Sequence, residues 1–91
     1  MAISLEDYRL KLINKILSAS SQDDVKKFVG TAIRSLKENK VHDHVITRFI
    51  LKTIARLEVI KIEIKDLQQS KNIQTSRIEL YNISFNVQSF I

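Results

Sequence analysis

Ninety-one residues, 44% hydrophobic and 27% charged, describe a single helical domain over residues 1–91, near the small end of what folds alone. The chain has no cysteine, which excludes disulfides and thiolate metal sites, and no run approaches the roughly 18 apolar residues of a membrane-spanning helix. The net charge of +5, from 15 basic and 10 acidic side chains, is a mild attraction toward acidic partners. The opening MAISLEDYRL lacks the basic start and apolar stretch of a secretory signal, so the expected location is cytoplasmic.

There is no proline and a single glycine, Gly30, so few and long elements are expected. The first helix should follow Ser4, whose hydroxyl can cap the first turn, with Glu6 and Asp7 at the positive end of its dipole. Leu5, Tyr8, Leu12, Ile13, Ile16 and Leu17 recur at helical spacing before a polar connection at Ser18–Ser21. The second helix has the clearest pattern. Asp23 and Asp24 follow a capping Ser21 or Gln22, and Val25, Phe28, Val29, Ala32, Ile33 and Leu36 trace one stripe, with Lys26, Lys27, Arg34 and Lys37 off it. Glu38–Lys40 closes it.

A third helix is expected from Asp43 to about Gln68. Ile46, Ile50, Leu57, Ile60, Ile64 and Leu67 form a heptad-like seam, with Thr53 and Ile54 sharing its third place. Phe49, Leu51, Val59 and Ile62 lie outside the seam, which requires burial on more than one side. Residues 59–65 also alternate like a strand of β-branched residues. Ser76 and Glu79 read as a capping box for a C-terminal helix with Leu80, Ile83, Val87 and Phe90 on its apolar face. Here too a strand competes, because Asn82–Val87 alternates strictly. The expected fold is therefore an all-α antiparallel bundle of three helices plus a C-terminal fourth. The alternative is α+β, with a terminal hairpin from about 58–65 and 78–90.

His42-Asp43-His44 has the spacing of a partial zinc or nickel site, but no third histidine exists. The simpler reading makes Asp43 an acceptor for the free amides of the third helix, and no metal or cofactor is expected. Gly30, in mid-helix, costs roughly 0.5–1 kcal/mol against alanine, which suggests close approach of another helix backbone. Arg48, Lys52 and Arg56, at i, i+4 and i+8, form a basic ridge that could track phosphates, although no base-reading motif accompanies it. No nucleophile–base signature and no glycine-rich phosphate loop is present, so no enzyme is expected. The expected function is a small interaction or regulatory module acting by protein–protein contact and self-association, most simply as a homodimer. Val59, Ile62, Phe85 and Phe90 are the candidate interface. The alternative is a dimeric nucleic-acid-binding protein using Arg48, Lys52 and Arg56.

Overall fold

Ser4 and Ser21 each open a helix as their sequence contexts suggest. In a computed structural model, which describes residues 4–88, Ser4 Oγ accepts the Asp7 N–H at 3.4 Å and begins α1 (Leu5–Ser18). Ser21 Oγ accepts the Asp24 N–H at 3.1 Å and begins α2 (Gln22–Glu38). Two further helices, α3 (Asp43–Glu63) and α4 (Leu67–Gln88), complete an all-α bundle, with no strand among the described residues. Residues 59–63 and 82–88 are thus helical, and the terminal hairpin does not form. Phe90 and Ile91 lie outside the described residues.

α2 ends in a Schellman motif. Val41 N–H reaches Leu36 C=O and Lys40 N–H reaches Lys37 C=O, both at 3.0 Å, which satisfies carbonyls the helix leaves free. Lys40 occupies the left-handed position of this motif at φ 63°, where a β-carbon crowds the following carbonyl. Val41 follows and packs against the core, as the hydrophobic contact of such a motif requires.

The isoleucine-rich helix is shorter than its seam suggests. It stops at Glu63, and the chain turns through Ile64–Asp66. Ile64 adopts an extended backbone and packs on the core, and Asp66 Oδ1 accepts the Gln69 N–H at 2.9 Å, starting α4 at Leu67. Had the helix continued to Gln68, its 26 residues would measure about 39 Å, longer than the 37 Å long axis of the whole molecule. The turn instead sends α4 back along α3, where Ile73 and Leu80 become fully buried. The capping box at Ser76 is also overturned. Ser76 is buried in the middle of α4, and its hydroxyl donates to Ile73 C=O at 2.8 Å within its own helix.

Cross-links fix the directions of the helices. α1 and α2 are antiparallel, with Tyr8 Oη donating to Ala32 C=O at 3.3 Å and the Lys15 ammonium 5.9 Å from the centre of the Phe28 ring. α3 and α4 are antiparallel, joined by Lys61–Gln74 at 2.7 Å and Arg77–Glu58 at 3.1 Å. α1 and α3 run in the same direction, with Leu5 beside Val45 at one end of their shared groove and Leu10 beside Val59 at the other. The core at their centre is aliphatic around one aromatic, Phe49, and each fully buried side chain there contributes about 1.5–3 kcal/mol of transfer free energy. The radius of gyration, 12.7 Å, is close to the roughly 12 Å of a folded domain this long.

Gly30 does not mark a close helix crossing. A β-carbon built there would meet nothing within 4 Å, so the glycine is an unfilled position on α2.

Candidate interaction surfaces

Two surfaces of opposite chemistry stand out. The first is the groove between α1 and α3. Arg48, Lys52 and Arg56 are all exposed and line one bank of it, one helical turn apart. Between them and α1 lie two hollows of about 250 and 300 Å³, which share Glu6, Arg9 and Lys52 and so form one continuous trough.

Arg9 is the unusual residue of that trough. It is only 8% exposed, yet it lines both hollows. Its guanidinium lies 5.4 Å from the centre of the Phe49 ring and pairs with the carboxylate of Glu6 one turn earlier. Its Nε is enclosed and has no hydrogen-bond partner among the described residues. Burying an arginine is costly unless anions satisfy it, and Glu6 is itself mostly exposed, so the pair is open to the trough. The sequence signal for Arg9 was available. Leu5, Arg9, Leu12, Ile13 and Ile16 occupy i, i+4, i+7, i+8 and i+11, which places Arg9 on the buried stripe of α1.

The second surface is the outer side of α4. Ile78, Tyr81 and Phe85, at i, i+3 and i+7, form a continuous exposed stripe, and Phe85 keeps 73% of its surface in solvent. α4 is poor in charge, with Lys71, Arg77 and Glu79 as the charged members of its 22 residues. Arg77 is engaged by Glu58 of α3. At the two ends of the α3–α4 turn, Ile62 is 85% exposed and Leu67 is also exposed.

The four residues expected to form one interface are therefore dispersed. Val59 lines the α1–α3 trough, Ile62 stands at the end of α3, Phe85 belongs to the α4 stripe, and Phe90 lies outside the described residues. Ile78 and Tyr81, which complete the stripe, were missed because the tail pattern pointed to Leu80, Ile83, Val87 and Phe90.

Asn72 was missed as well. It is fully buried, and its Nδ2 donates at the end of α1 to Ile16 C=O at 3.0 Å, which also accepts the Ala19 N–H, and to the otherwise free Ala19 C=O at 2.9 Å. Its Oδ1 accepts from Gln22 at 2.9 Å and Gln68 at 3.0 Å, so every hydrogen-bonding position of the amide is used. Thr75 donates to Gln22 and extends this network. Its role is to seat α4 against the α1–α2 connection.

His42 and His44 stand at the start of α3, both exposed, with ring centres 5.0 Å apart. Among the described residues, no group of three His, Cys, Asp or Glu side chains gathers there or elsewhere. His42, not Asp43, is the N-cap residue, and α3 begins without a side-chain cap hydrogen bond, so Asp43 contributes its charge in the first turn. Among the described residues, no helix is long and apolar enough to cross a membrane. No family model matches the chain, and neither a curated protein nor a solved structure matches it.

Proposed function

We propose that this chain is a small, non-enzymatic interaction module of the cytoplasm that works as a two-fold homodimer paired through the outer stripe of α4. The observation that carries this reading is the stripe of Ile78, Tyr81 and Phe85, exposed on a helix nearly free of charge. Interface centres are enriched in aromatic side chains and depleted of charge, whereas an ordinary solvated face is laced with lysine and glutamate. A two-fold axis brings one patch against its own copy, so a single uncharged stripe is self-complementary. The net charge of +5 opposes association of two copies in general, and the charge-poor face of α4 is where that repulsion is least.

Light scattering coupled to size-exclusion chromatography tests this directly. The native chain is expected at the mass of a dimer, with dissociation on dilution. Tyr81→Glu and Phe85→Glu are expected to give monomers that keep the helical content, with denaturation no longer dependent on protein concentration, because Phe85 is mostly and Tyr81 about half in solvent within one chain. A native chain that stays monomeric at high concentration removes the proposal, as does a dimer indifferent to both substitutions.

A further inference from the structure

We infer that the α1–α3 trough receives an acidic amphipathic helix from a partner protein, whose carboxylates meet Arg48, Lys52 and Arg56 in register and reach Arg9 at the floor. This surface lies on different helices from the α4 stripe, so the inference does not depend on self-association.

The first support is charge. Arg9, Arg48, Lys52 and Arg56 line the trough against a single carboxylate, Glu6. The three residues of the ridge repeat every four positions, which sets their α-carbons about 6 Å apart along the axis. A helix laid alongside with acidic residues at i, i+4 and i+8 presents the same repeat with the opposite sign, the arrangement that fixes register in helix-in-groove recognition.

The second support is shape and apolar lining. From Arg48 to Val59 the trough runs three turns of α3, about 16 Å. Its apolar members include Leu10 and Val59, both large and exposed, with Phe49 below. A ligand with an apolar stripe beside its charges covers both features.

The third support is Arg9. The Arg9 side chain lines both hollows with its Nε enclosed and its guanidinium over the Phe49 ring, so it is held in place before any partner arrives. Glu6 already places a carboxylate on it, which demonstrates the geometry an incoming carboxylate would share or replace.

Nucleic acid is the less favoured occupant. The apolar side chains of Leu10 and Val59 give a phosphate backbone nothing to contact, whereas an amphipathic helix covers them. The exposed aromatic rings that could stack on bases, Tyr81 and Phe85, belong to α4 and not to the trough.

The test is fluorescence anisotropy with a labelled synthetic helix carrying Glu at i, i+4 and i+8 and leucines beside them. A single-stranded oligonucleotide of similar length is the second probe, and both are titrated at low and raised salt. The acidic helix is expected to bind, with Lys52→Glu and Arg56→Glu each weakening it about tenfold. Glu6→Gln is expected to strengthen it several-fold, because it removes the competing carboxylate. In nitrogen-15 spectra the Arg9 Nε–H signal is expected to shift on titration. The same results are expected in the Phe85→Glu background, which separates this site from the α4 contact. Failure of the acidic helix to bind overturns the inference, as does binding that leaves the Arg9 signal in place or ignores all three substitutions. Binding of the oligonucleotide in preference to the helix overturns it in favour of a phosphate backbone.

Discussion

α2, with 17 residues, and α4, with 22, sort their residues in different ways. α2 buries Val25, Val29, Ala32, Ile33 and Leu36 and leaves Lys26, Lys27, Arg34 and Lys37 in solvent. α4 buries Asn72, Ser76 and Ser84 between Ile73 and Leu80, and exposes Ile78, Tyr81 and Phe85. The difference is one of task. α2 has a single apolar inside to satisfy, so its polarity follows a simple stripe. The first half of α4 must supply hydrogen bonds to carbonyls where α1 ends, so polar side chains belong inside it. Its outer side carries Ile78, Tyr81 and Phe85, which the rest of the chain covers only in part. Burial of a polar side chain can thus be dictated by an orphaned group in a distant part of the chain.

Three substitutions sharpen this contrast, each read by urea denaturation followed by circular dichroism. Ile33→Ala removes part of the ordinary apolar stripe of α2 and is expected to cost about 2–5 kcal/mol. Asn72→Ala strands the carbonyl of Ala19 and is expected to cost about 1–3 kcal/mol, the penalty of one orphaned group. If Asn72→Ala proves neutral, the polar inside of α4 is incidental and the contrast collapses. The smallest effect is a gain. Gly30→Ala is expected to stabilise the chain by about 0.5–1 kcal/mol, since the added methyl meets open space and alanine loses less backbone entropy than glycine. A loss of stability at Gly30 would restore the close crossing that the structure denies.

Much of the bundle was legible in the sequence because the information is local. Ser4 and Ser21 cap the helices that follow them, and the stripe of α2 is buried almost as written, with Phe28 half-buried at its edge. The turn at Ile64–Asp66 was hidden because Ile64 and Leu67 continue the periodic seam across it, with no glycine or proline to interrupt them. Asp66 is the only local mark of a new helix, and an acidic residue on a charged helix surface does not announce a cap. Ser76 and Glu79 misled for the opposite reason, since a capping-box spelling also fits a helix interior whose serine bonds its own backbone. Of the surfaces, the ridge of Arg48, Lys52 and Arg56 was visible from spacing alone. Arg9 was hidden in plain view on the apolar stripe of α1. Asn72 gave no local signal, because the partners that justify its burial are 50 to 56 residues away.

That separation also orders events during synthesis. A nascent chain emerges from its N-terminal end, so α1 and α2 reach solvent before α4 does. Until Asn72 emerges, the carbonyl of Ala19 has only water as a partner, and the faces of α1, α2 and α3 that pack on α4 remain open. α4 therefore closes the bundle, and the three helices before it expose apolar surface to water until it docks.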